Sequence, residues 1–147
     1  MAIKTLTLEY DIALLPLNHA YKNIPRGGRA LTTLAKEFKE LVAFLTYRQF
    51  SGQCGVDPEA HWVEAFYTIH STKALTKPKK SGAYKVNRNK GDIDGQIKLF
   101  QDAVCAALGF DDCLITESHS KQVQSDKDRV VVSFHVWGLS TFNAMHF

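Results

Sequence analysis

The sequence predicts an α+β domain, a small mixed β-sheet of about four strands with two main helices packed against it. Two observations carry this. Residues 3–12, 61–70, 113–123 and 129–139 alternate apolar with polar residues or gather aromatic and β-branched ones, which is strand chemistry. Two other stretches, following Leu31 and Asp92, repeat apolar residues every three or four positions, the period of a helix with one buried face. Along the chain the order is strand, helix, strand, helix, strand, strand.

IKTLTLEYDI, the first strand, has the period of one buried face. LPLNHAYKNIPRGGRA then mixes prolines and glycines with Lys22, Arg26 and Arg29, and reads as an irregular basic loop. Thr32 is placed to cap a helix that buries Leu34, Ala35, Phe38, Leu41, Val42 and Leu45. SGQCGVDPEA connects it to the strand HWVEAFYTIH. Next comes a basic loop, residues 71–90, in which Lys73, Lys77, Lys79, Lys80, Lys85, Arg88 and Lys90 meet no acid. Such a run is either a solvated loop or an anion-binding surface, and Tyr84 within it is compatible with base stacking. The second helix runs from about Asp92 to Leu108, lined by Ile93, Ile97, Phe100, Val104 and Ala107, with Gly109 as its stop. Two strands joined by QSDKD follow, and the tail at 137–147 holds aromatic residues available to a dimer contact.

At 147 residues and 45% hydrophobic content, the chain matches one domain over 1–147 that buries roughly two thirds of its unfolded surface. A net charge of +3 is too small to imply a nucleic-acid partner by itself. Cys54, Cys105 and Cys113 form no CxxC pair and read as reduced thiols. Lys4, Glu9 and Asp11 interrupt any signal-like apolar run, and no segment approaches a membrane span, so a soluble cytoplasmic protein is expected.

Acids bracket the second helix. Asp92 and Asp94 open it, where a carboxylate caps free N–H groups and meets the positive end of the helix dipole. One cap needs one acid, and this start has two, with Lys98 a turn beyond Asp94 on the same face. A hard divalent cation such as Mg²⁺ asks for one or two carboxylates plus water or phosphate oxygens, so D-x-D beside a basic loop suits phosphodiester chemistry. Lys98 would then stabilise charge on the phosphate. The plainer readings are a surface Asp94–Lys98 pair, and Asp111 and Asp112 as turn residues.

The combination resembles the RusA family of Holliday-junction resolvases, small dimeric Mg²⁺-dependent endonucleases. The similarity rests on D-I-D with a lysine four after its second Asp, then F-x-D-A at Phe100, Asp102 and Ala103, then G-F and D-D, together with the Pro- and Asn-containing basic loop before the first helix. It spans about Leu6 to Val136. It implies metal-binding acids at Asp92, Asp94 and Asp112, with Asp111 the alternative to Asp112, a catalytic Lys98 and a loop Asn18. It also implies Mg²⁺, with Mn²⁺ able to substitute, no organic cofactor, four-way DNA junctions as substrate and a homodimer. Three departures stand out: Gly95 where the family usually has Asn, Pro16 in place of a double proline, and a longer basic loop before Gly91. DNA contacts are expected from Asn18, Lys22, Arg26, Arg29 and the basic residues of 71–90.

Three other readings compete: a nuclease of broader branched-DNA range, a non-catalytic nucleic-acid-binding dimer, and a zinc site drawn from His61, His70, His119, His135 or His146 with the cysteines. No pair in the last set has close ligand spacing, so these histidines read as packing or edge residues. A helix continuous from Asp94 to Leu108 separates its ends by roughly 20 Å at about 1.5 Å per residue. A short turn is not expected to return Asp112 to Asp94, so a shared metal would need acids from two antiparallel chains.

Overall fold

The computed structural model describes residues 2–77, 82–90 and 92–145. Lys79, Lys80 and His146 lie outside the described residues, as does the Lys90 side chain. The elements, in chain order, are β1 (Lys4–Tyr10), β2 (Tyr21–Asn23), β3 (Arg29–Leu31), α1 (Thr33–Gln49), β4 (His61–Ser71), β5 (Leu75–Thr76), β6 (Lys85–Val86), α2 (Ile93–Leu108), β7 (Ile115–Gln124), β8 (Arg129–Gly138) and α3 (Leu139–Met145). The class is α+β, as expected, with a four-stranded mixed sheet in the order β1-β8-β4-β7.

Connectivity explains the mixture. Between β4 and β7 the chain passes through α2, a crossover that lets these two strands lie parallel. The β7–β8 connection is short, yet β8 pairs antiparallel with β1 and β4 rather than with β7. Its loop therefore crosses the end of β4 and is tied there: Ser125 N donates to Ser71 O at 2.9 Å, and Thr72 N donates to Asp128 Oδ1 at 3.0 Å.

Alternation gives the sheet two different faces. Val63, Ala65, Tyr67 and Ile69 of β4 join Val130, Val132, Phe134 and Val136 of β8 in one buried cluster with Phe100, Val104 and Leu108 of α2. Tyr10 ties α1 to this core, its ring edge-on to Phe100 at 4.9 Å and its hydroxyl 2.7 Å from Thr46 Oγ1. The opposite face presents Glu64, Phe66, Ser133, His135 and Trp137, all partly exposed.

Two regions read as loops carry more order than the sequence suggests. The basic stretch before α1 holds a 3₁₀ turn at Leu17–His19 and the β2–β3 hairpin. Gly27 and Gly28 turn that hairpin at φ 88 and 85, a conformation only glycine adopts without strain. In the second basic stretch, β5 and β6 pair as a minimal hairpin, followed by a 3₁₀ turn at Arg88–Lys90. Part of the aromatic tail packs within the chain: α3 brings Phe142 to 5.7 Å from Trp62, and Trp62 Nε1 donates to Thr141 Oγ1, while Phe147 lies outside the described residues. Among the described residues no helix is long and apolar enough to cross a membrane.

Candidate functional site at the start of α2

Asp92 is the N-cap of α2. Its backbone is extended and its Oδ1 accepts from Gly95 N at 2.7 Å, satisfying one of the free amides that every helix start exposes. Gly95 matters to this geometry because a Cβ there would lie 2.6 Å from Asp92 Oδ1. Asp94 is exposed and forms no hydrogen bond or ion pair among the described residues. The two acids of D-x-D thus part ways: the first is the cap and the second is a free carboxylate.

A cavity of about 610 Å³ brings this helix start against the first basic loop, with Asn18, Tyr21, Asn23 and Arg29 on one side and Asp92 and Gly95 on the other. These residues are more than sixty positions apart in sequence. The 3₁₀ turn and hairpin, missing from the sequence reading, are what aim Asn18 and Arg29 at α2.

The surface Asp94–Lys98 pair of the plainer reading is not formed. Lys98 Nζ instead lies 3.1 Å from Asp102 Oδ1 and 2.8 Å from Asp112 Oδ2. Asp112 returns because Gly109 takes a left-handed C-cap, φ 87, with Phe110 N donating to Cys105 O, so the chain doubles back along α2. The reversal brings Asp112 back as far as Lys98, which also holds Asp102, without gathering it with Asp92 and Asp94. Gln101 Nε2 also reaches Asp112 Oδ2 at 3.4 Å, and Tyr67 donates to Gln101 Oε1. Asp111 keeps the plainer role, its Oδ1 accepting from Cys113 N in the turn.

Charge is divided unevenly in this group. The hydrogen bond from Lys98 pulls Asp112 from 3.8 down to about 2. Burial, with Asp112 beside it, pushes Asp102 up despite its contact with Lys98. Lys98, hydrogen-bonded to Asp112 and Asp102, is held above the ordinary lysine range. A depressed carboxyl stabilises the fold above its unfolded value and loses that contribution as pH falls through its folded value. Acid unfolding of wild type should therefore show an extra stability loss between about pH 4 and pH 2 that Asp112→Asn lacks, read from urea midpoints across that range; parallel pH profiles would remove the pair's role.

Lys22, Arg26, Arg29, Lys73, Lys77, Lys85 and Arg88 are exposed and form no ion pair among the described residues. Asp92, Asp94 and Asp112 do not converge as one ligand set within the chain. Among the described residues the only group of three or more metal-ligating side chains within 4.8 Å is Glu64, Glu117 and His119, which can hold a metal ion. It sits on the sheet face turned away from α1 and α2, and the sequence places only Glu117 and His119 together, on one face of a strand, not their meeting with Glu64. No protein-family model matches the chain, and a search of curated proteins finds no relative.

Proposed function

We propose that the chain is a Mg²⁺-dependent endonuclease of the RusA kind, cutting four-way DNA junctions as a cytoplasmic homodimer. The cavity carries this reading: it joins the Asn18–Arg29 loop to the D-x-D helix start, two regions on which the family resemblance rests separately. The carboxylates of Asp92 and Asp94 are hard oxygen donors, as Mg²⁺ requires, and one of Asp92's oxygens is free of the cap. Bound there, Mg²⁺ or Mn²⁺ would acidify a water for attack on a phosphodiester. Arg29 and Asn18 hold the phosphate backbone from the other wall. Lys98 serves as a fixed cation rather than a proton acceptor, because its hydrogen bonds to Asp112 and Asp102 keep it charged near neutrality. Lys73, Lys77, Lys85 and Arg88, which form no ion pair among the described residues, extend the backbone contact and favour a second reading, a nuclease that accepts other branched DNAs.

A panel of synthetic junction, fork, flap and linear duplex DNA tests this. Mg²⁺ and Mn²⁺ should support junction cleavage, and Ca²⁺ should support binding with little cutting, because its larger, looser oxygen shell fits in-line geometry poorly. Binding should weaken steeply with salt. Full activity in EDTA would defeat the metal mechanism, equal cutting of forks and flaps would favour the broader nuclease, and equal cutting of linear duplex would end the junction reading.

A further inference from the structure

The face of the sheet turned away from α2 gathers donors from three strands. Glu64 comes from β4, Glu117 and His119 from β7, and Trp137 with His135 from β8. His119 Nε2 lies 3.1 Å from Glu64 Oε2 and 3.1 Å from Glu117 Oε1. Tetrahedral Zn²⁺ with bonds of roughly 2.0–2.2 Å sets neighbouring donors about 3.4 Å apart, so these separations need to open by only a few tenths of an ångström.

The surroundings orient these donors as a metal site requires. Trp137 Nε1 donates to Glu64 Oε1 at 3.1 Å, which fixes that carboxylate and leaves Oε2 turned to His119. Phe66 stacks on the His119 ring, centroids 4.8 Å apart and planes 14° from parallel, holding Nε2 toward the acids. His135 Nδ1 stands 4.0 Å from Glu64 Oε1, the carboxylate oxygen that does not face His119. His119 is exposed and Glu117 partly so, which gives an ion a path from solvent. The mixed nitrogen and oxygen set differs from the all-oxygen set at α2: imidazole favours zinc-like ions over Mg²⁺.

The structure assigns a Zn²⁺ site to Glu64, Glu117 and His119, the fourth tetrahedral position being left to water. It ties the edge strand β7 to β4, and it is independent of the acids at α2 and of any nuclease activity.

Zn²⁺ alone, titrated calorimetrically into chelator-treated full-length protein, tests this directly. The expected result is one Zn²⁺ per chain, retained in excess Mg²⁺ and unchanged in Cys113→Ser, which removes the exposed thiol. His119→Gln, at an exposed side chain, and the near-isosteric Glu117→Gln should abolish the binding while keeping the wild-type circular dichroism. Trp137→Phe should keep the stoichiometry with affinity about tenfold weaker, as expected for loss of a partner that orients a ligand. Co²⁺-loaded protein should show d–d bands without thiolate charge transfer. Absence of Zn²⁺ binding in wild type, or binding that survives His119→Gln, would leave His119 as a hydrogen-bonded bridge between two carboxylates and overturn the site.

Discussion

Asp94→Asn should cut Mg²⁺-dependent cleavage of a four-way junction by at least about a hundredfold while leaving the urea midpoint unchanged. The activity figure is a lower bound, since even groups that merely orient a metal ligand are worth roughly 10–100-fold. The absence of a stability cost follows from the surroundings of Asp94, exposed and without a bonded partner among the described residues. Asp92 separates cap from chemistry. Asn caps a helix about as well as Asp, so Asp92→Asn should also lose cleavage and remain stable, whereas Asp92→Ala should lose about 1 kcal/mol as well. Single-turnover cleavage on the junction, with denaturation of each variant, reads both quantities. Wild-type cleavage by Asp94→Asn would leave the acids as helix-start residues and favour a non-catalytic DNA-binding dimer.

Why these acids could be found in the sequence, and the Glu64 cluster could not, is a matter of distance along the chain. Strands and helices announce themselves through periods of two and 3.6 residues, which is why the strand at His61–Ser71 and α2 lie within a residue or two of their expected limits. Thr32 and Asp92 cap through partners three residues away, and Gly109 stops a helix through its own backbone, so local sequence contains them. The β2–β3 hairpin was hidden because its strands are three residues each, too short for alternation to show. Glu64 and His119 are fifty-five residues apart and meet only because β7 pairs parallel to β4 after a helical crossover. No ligand spacing in the sequence encodes that meeting. The same holds for Lys98: its neighbour at i−4 is the pattern-based partner, but the reversal at Gly109 supplies Asp112 from outside the helix's own period.

That reversal changes the case for a shared site without removing it. Asp112 and Asp102 hold the same Lys98 ammonium, and Asp102 stands two turns beyond Asp94, about 12 Å along the axis at roughly 1.5 Å per residue. Carboxylates that bind one Mg²⁺ must each come within about 2.1 Å of it or hydrogen-bond to a water it holds, and among the described residues Asp92, Asp94 and Asp112 do not gather as such a group within one chain. Asp94 and Asp112 can serve a common ion if two chains pair about a two-fold axis with their α2 helices antiparallel, each site drawing Asp92 and Asp94 from one copy and Asp112 from the other. Two opposed sites would suit the two strands of a junction. Mixed dimers of Asp94→Asn with Asp112→Asn then have a distinctive outcome. Each homodimer should be inactive, with cleavage down at least about a hundredfold. The heterodimer keeps one site whose Asp94 and Asp112 are both unmutated, so nicking of a single strand should return at about half the wild-type rate per dimer. Differentially tagged chains, purified as verified heterodimers and assayed on a junction labelled in each strand, measure it. If every site lies within one chain, both sites of the heterodimer are broken, and a heterodimer that nicks neither strand would rule the composite arrangement out.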